Sequence, residues 1–240
     1  MLMEGSSLGR LAEDEAFPTE QALEEIFVDR FSSTPGMALV ACSAQNIDRV
    51  VTIYRAALRT GRTLVVDAYA AEVLKATGHG SIPKPVAGWS SLAVYIPHRQ
   101  RVQLKAKGIA PLVDSYRAFR LWPVQLAQQA PRSVMLFRGW MMRDLEFAGA
   151  LAGARLFWSQ WDGYLGTGSA GGALKSDCER RGIPFDVIHT SGHASPGDLK
   201  RLASAVAPKK LIPIHTFERN RFPSLFANVA LVDDGEWVDA

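Results

Sequence analysis

Apolar positions in this chain cluster in short unbroken runs separated by segments of helical period. Residues 37–42 (Met-Ala-Leu-Val-Ala-Cys), 63–67 (Thr-Leu-Val-Val-Asp) and 133–137 (Ser-Val-Met-Leu-Phe) show no polar alternation, as expected of strands covered on both faces. Between the first two, Ile47, Val50, Val51, Tyr54, Ala57 and Leu58 fall on one side of a helix that Gly61 ends. Strand, helix and strand together predict a βαβ unit on a parallel sheet. Upstream, Thr19 caps a helix with Glu20 in its first turn and Leu23, Ile26, Phe27 and Phe31 at helical spacing. Residues 32–36 read as a linker and a domain boundary. Further on, 91–96 and 154–159 read as strands, and 99–107 and 112–119 as short helices. Arg138-Gly139-Trp140 is a turn, residues 143–146 open a helix, and 160–165 form a loop. The glycine- and serine-rich stretch 166–172 is a link, followed by a helix over 173–181 that Gly182 terminates.

The densest pattern is Asp186-Val187-Ile188-His189-Thr190-Ser191-Gly192-His193-Ala194-Ser195-Pro196-Gly197-Asp198. Its β-branched start suits a buried strand, and Gly192 permits a sharp bend. Ser195 is placed to cap a helix, with Pro196 at the first helical position and Asp198 in the acid-favouring first turn. Leu199, Leu202 and Ala203 share one face of that helix. A second strand follows at Lys210-Leu211-Ile212-Pro213-Ile214-His215-Thr216-Phe217. Two strands thus each deliver a histidine at or beyond the carboxyl end, where α/β sheets bind ligands. Imidazoles, hydroxyls and a helix N-terminus in one place suit metal and phosphate chemistry. Residues 222–226 read as a short helix, and 229–232 with 236–238 as closing strands joined by the turn Asp233-Asp234-Gly235.

Composition narrows the class. A chain of 240 residues, 48% hydrophobic, can bury one sizeable core or two lobes. The net charge of +3 permits an anionic partner without demanding one. Cys42 and Cys178 form neither a metal spacing nor a disulfide framework, which fits a reducing cytoplasm. No apolar run is long enough to span a membrane, and the first residues lack the pattern of a signal peptide. No strand is followed by the glycine fingerprint of dinucleotide binding.

His-Thr-Ser-Gly-His-Ala-Ser at 189–195, followed by Ile-Pro-Ile-His-Thr-Phe at 212–217, resembles the closing motifs of RNA-processing metallo-β-lactamase-fold enzymes of the β-CASP group, the ribonuclease J-like nucleases among them. The opening Met-Leu-Met-Glu-Gly-Ser resembles the same family's strand that ends in an acidic residue. Ser43-x-x-Asn46-x-x-Arg49, Arg138-x-x-Met141-x-Arg143-Asp144 and Ser159-x-Trp161-x-Gly163-Tyr164-Leu165 resemble its inserted domain. The resemblance implies an α/β fold: a partial metallo-β-lactamase αββα sandwich (1–35 and 170–240) with an inserted parallel-sheet β-CASP domain (36–169). It implies a zinc-dependent ribonuclease in which Glu4 orients His193, a proton donor near the leaving group, and His215 is a metal ligand. Ser191 and Ser195 would contact phosphate, and His189 would either do so or support a metal ligand, with a core histidine nearly as good a reading. Ser43 and Asn46 would hold phosphate at a helix N-terminus, although ordinary capping explains them nearly as well. Trp161 and Tyr164 fit base stacking or packing alike. A histidine at 215 goes with RNA rather than DNA substrates in this family. The family often dimerises, so a homo-oligomer is among the partners implied, and the enzyme would be cytoplasmic with no membrane partner.

The sequence also departs from the family. Most of the ligands for its two zinc ions come from a His-x-His-x-Asp-His loop upstream of the strand matching 1–4. The five histidines here, His79, His98, His189, His193 and His215, contain no such spacing. The expectation is a chain that supplies at most one zinc ligand, His215, lacks the N-terminal metal-binding half, and is inactive alone unless that half or a complementary chain is present. Two other classes stay open: a non-catalytic nucleic-acid-binding or partner module, and a metallo-β-lactamase-fold hydrolase of a non-nucleic-acid substrate.

Overall fold

A computed structural model describes residues 1–238. In chain order the elements are β1 (Leu2–Glu4), α1 (Glu20–Ser32), β2 (Ala38–Ala41), α2 (Ile47–Arg59), β3 (Thr63–Val66), α3 (Ala68–Ala76), β4 (Leu92–Tyr95), α4 (His98–Ala106), α5 (Pro111–Ser115), β5 (Arg120–Leu121) and α6 (Pro123–Gln129). They continue with β6 (Ser133–Leu136), α7 (Met142–Ala148), β7 (Arg155–Trp158), α8 (Ala170–Arg180), β8 (Phe185–Val187), α9 (Pro196–Val206), β9 (Ile212–Ile214) and α10 (Phe222–Leu225). The chain forms two compact units: unit 1 is Met1–Pro18 with the chain from Ser191 onward, and unit 2 is Thr19–Thr190. None of the described helices is long and apolar enough to cross a membrane.

Unit 2 is a seven-stranded sheet in the order β5-β4-β3-β6-β2-β7-β8, with every pair parallel. Strands β2, β4 and β6 are buried along their whole length, which is why they read as continuous apolar runs. Alternate strand residues serve different cores. Ala38 and Val40 join Leu23, Phe27 and Phe31 of α1 and the inner faces of α2 and α3. Met37, Leu39 and Ala41 join Leu126 of α6, Leu145 of α7 and Leu174 and Cys178 of α8. The sheet is therefore sandwiched between two helical layers. The helix after β2 and the helix after β6 lie on opposite faces, although these strands are neighbours.

One close approach in this unit admits only glycine. A Cβ on Gly36 would lie 2.2 Å from the Ala152 carbonyl oxygen and 2.7 Å from the Ala154 nitrogen, both backbone atoms. Gly36 also donates to the Gly153 oxygen at 2.8 Å, so the two segments are held together. Gly36→Ala should cost about 3 kcal/mol or more, because backbone cannot move aside as a side chain can. An unchanged urea midpoint would refute this.

Unit 1 is smaller. Strands β1 and β9 pair in parallel, Leu2 opposite Ile212 and Glu4 opposite Ile214. Met3, Leu8, Leu199, Leu211, Phe222 and Phe226 form its core. Helix α9 is capped as its sequence predicts: Ser195 Oγ accepts from the Asp198 amide at 3.2 Å, with Pro196 in the first turn.

Several expectations are corrected. The strands carrying the two histidines do not share a sheet: β8 pairs with β7 in unit 2, and β9 pairs with β1 in unit 1. The expected strand 210–217 shortens to β9, because His215 turns out of extended geometry with φ of 49°. The closing hairpin is absent among the described residues; Val229 instead bridges in parallel to Leu211, and only the turn at 233–236 forms. The helix expected at 173 begins at Ala170, because Ser169 accepts from the Gly172 amide and provides an earlier cap. Helix 112–119 splits into α5 and a 3-10 turn, Arg117–Phe119. Leu202 is 47% exposed, so α9 buries Leu199 and not Leu202. The compact units divide near residues 18 and 190: α1 packs on α2, and α8 and β8 belong with the sheet.

Candidate functional site

The pairing of β1 with β9 brings the two ends of unit 1 together. Glu4 closes β1 level with Ile214, and His215 follows directly. The positive φ of His215 is strained for a residue with a Cβ, although histidine adopts it more often than most. Gly5 lets the chain pass under Phe222: a Cβ there would lie 2.7 Å from its ring. Thr216 Oγ1 donates to the Gly5 oxygen at 3.0 Å and ties the two turns together. The third segment is the loop before α9, where the His193 amide donates to Ser191 Oγ at 3.2 Å.

Glu4, His193 and His215 place one nitrogen or oxygen ligand atom each within 4.8 Å of one another. Their hydrogen bonds differ in kind. Glu4 Oε2 lies 3.1 Å from His193 Nδ1 and accepts the Ser6 amide at 3.0 Å, while Oε1 accepts the Ala194 amide at 3.3 Å. Burial works against ionisation of Glu4, yet the hydrogen bonds from Ser6 and the nearby His193 hold its pKa below the ordinary value of 4.5. A carboxylate only accepts, so His193 donates through Nδ1 and its Nε2 carries the lone pair when the ring is neutral. Ser6 Oγ lies 3.1 Å from both His215 Nδ1 and the His215 carbonyl oxygen. The hydroxyl has one proton, and the carbonyl can only accept it. Ser6 Oγ therefore accepts from Nδ1–H, and His215 also keeps its lone pair on Nε2. The two rings sit 5.4 Å apart, centroid to centroid.

No family model matches the sequence, and no curated protein matches it. The fold does have a solved counterpart. A crystal structure of a protein of unknown function from Enterococcus faecalis V583 superposes with a TM-score of 0.66 at 20% identity, over 98% of this chain and 50% of that one. At that identity the likeness establishes shared architecture. The chain spans half the length of that protein.

The remaining sequence-derived candidates are distributed as follows. Ser191 holds the His193 amide, and Ser195 is spent on capping α9, its Oγ donating to Asp198 Oδ2 at 2.7 Å. His189 belongs to unit 2, where it is half-buried and lies near Glu20. Ser43 and Asn46 also lie in unit 2. Ser43 Oγ accepts the Gln45 amide at 3.2 Å, and Asn46 caps α2 by accepting the Arg49 amide at 3.1 Å. Both do what ordinary capping requires, and Ser43 in addition lines an open cleft. Ser6 was given no role by its sequence position. Its one legible signal was a hydroxyl two residues after an acidic strand end.

Proposed function

We propose that unit 1 carries part of a zinc-dependent centre that hydrolyses RNA phosphodiesters, built on a metallo-β-lactamase-type fold with unit 2 as its β-CASP-like lobe. The observation that supports this best is the wiring of the two imidazoles. Each has Nδ1 engaged, by Glu4 or by Ser6, and each keeps a free lone pair on Nε2. Metal-bound histidines show this pattern, with the second nitrogen donating to a carboxylate or another oxygen. The donor types suit zinc, and catalytic zinc sites use about three protein ligands per ion. Glu4, with three N–H donors on its carboxylate, serves better as the orienter of His193 than as a ligand. His215, and His193 through Nε2, would hold the ion, with further donors from polypeptide outside the described residues. Bound zinc would supply an activated water and charge stabilisation at the phosphate.

The chain's own residues then have separate tasks. Glu4 accepts from His193 Nδ1–H, which leaves the Nε2 lone pair for the ion. The carboxylate also stops that ring rotating. Ser6 sets the ring plane of His215. The exposed position of His215 and the partial exposure of His193 leave both rings accessible to a phosphate strand.

Zinc titration of the purified chain tests this. Binding is expected, weakened more than tenfold by His215→Gln and about 10–100-fold by Glu4→Gln, the usual loss when a residue supporting a ligand is removed. Affinity unmoved by either substitution would place the metal elsewhere. The zinc-loaded chain alone should not cleave RNA, and metal-dependent turnover by it would show that no further donors are needed.

A further inference from the structure

Unit 2 contains a cleft of ≈ 950 Å³ that the zinc chemistry does not use. It opens at the carboxyl ends of β2, β6 and β7, lined by Ser43, Arg138 and Trp158 among others. Strands β2 and β6 are neighbours whose following helices leave on opposite faces of the sheet. Such a switch point is where open α/β sheets leave a crevice for ligands. The volume lies at the upper end of the range for small-molecule sites, about 300–1,000 Å³.

Its lining combines rings with one cation. Tyr69, Trp140 and Tyr164 contribute aromatic faces, and Tyr69 and Tyr164 are 43% and 56% exposed. Arg138 lies over the Tyr69 ring at 4.9 Å, and its Nε is 3.5 Å from Asp67 Oδ2. Asp67 is committed elsewhere as well, accepting the Ala70 amide at 2.7 Å and Gln100 Nε2 at 3.3 Å. The Nη groups of Arg138 have no hydrogen-bond partner among the described residues. Gln45 donates to the Tyr69 hydroxyl at 2.9 Å and steadies that ring. The other charge on the wall, Asp177, is offset by Arg180 and Arg181 at 2.9 and 3.1 Å. Flat rings beside a guanidinium with free donors match a planar heterocycle attached to one phosphate.

We propose that this cleft binds a mononucleotide, its base against Tyr69 and its neighbouring rings and its phosphate on Arg138. Unit 2 alone carries the site, so it stands whether or not Glu4, His193 and His215 take zinc.

Calorimetric titration of the full chain with AMP and UMP, in EDTA and at low salt, tests it. Saturable one-to-one binding is expected. Arg138→Gln should weaken AMP at least tenfold while changing adenosine less than twofold. Ala173→Phe, at an exposed lining position of α8, should fill the mouth and weaken both at least tenfold without loss of folding. Displacement of AMP by a short oligoribonucleotide would assign the site to a nucleotide within a strand; AMP binding that RNA does not displace would assign it to the free mononucleotide. No saturable binding of any of these ligands, or unchanged affinity in Ala173→Phe, would overturn the proposal. Because the titration excludes metal, failure of the zinc centre cannot produce either result.

Discussion

Glu20→Ala is expected to lower the unfolding free energy by about 3 kcal/mol, read from urea denaturation at pH 7. The loss comes from the partner left behind. Arg49 is 1% exposed and satisfies its guanidinium on both oxygens of Glu20, at 2.8–3.1 Å, and on Ser159. Thr52 Oγ1 adds a bond to Glu20 at 2.7 Å. Removing the carboxylate leaves a buried cation with only the hydroxyl and the distant carbonyl of Ser159, and the partial exposure of Glu20 keeps the cost toward the low end for buried pairs. The effect is pH-dependent in one direction. Burial opposes ionisation of Glu20, but Arg49 and Thr52 outweigh it and depress the folded pKa below 4.5. The stabilisation is therefore complete above the unfolded value and disappears as pH falls through the folded one. The difference between wild type and Glu20→Ala should begin to shrink as pH falls below about 4.3, where carboxylates of unfolded chains titrate, and keep shrinking as pH falls through the lower folded value. A difference that stays constant down to pH 3 would show that packing, not charge, is what the variant loses.

Phe157→Ala should cost about 3–5 kcal/mol, the range for removing a buried aromatic ring. Phe157 lies on β7, between β2 and the edge strand β8, fully buried, with Phe27 and Phe31 at 6.5 and 5.7 Å. With Ala38 and Val40 of β2 it fastens α1 to the sheet. Thermal unfolding should shift to markedly lower temperature, whereas Phe147→Ala, on an 89% exposed side chain, should barely move it. Equal shifts in the two variants would contradict the assignment of this core.

The sequence revealed most about the centre of the sheet. Met37, Leu39 and Val40 could be read as a doubly covered strand because burial on both faces removes polar alternation. Helix α3 escaped notice because Val66 ends β3 and the next residue, Asp67, already caps α3, with no linker to announce a second element. β5 is only two residues long, too short to carry any period. The closing hairpin was over-read from Asp233-Asp234-Gly235: the turn chemistry is real, but the flanking residues lack a second strand. β8, α9 and β9 were read as two strands joined by one helix, and local pattern cannot show that β9 pairs with β1, some 210 residues earlier. Glu4 was legible as a candidate through resemblance, and His215 already from its place at a strand end, while the contact of Ser6 with His215 needed three dimensions.

That pairing sets an order of events during synthesis. Unit 2 is one continuous stretch and can condense as it leaves the ribosome. β1 is made before every strand of unit 2 and yet has no β9 partner until residues 212–214 have been made. At about 5–20 residues per second the wait is about 10–40 s. Throughout it the β9-facing edge of Leu2 and Met3 is unpaired, open to chaperones or to mispairing with another sheet edge. The Glu4–His193–His215 cluster is thus assembled last, and a nascent chain stalled before residue 212 would hold a folded sheet unit but no imidazole pair.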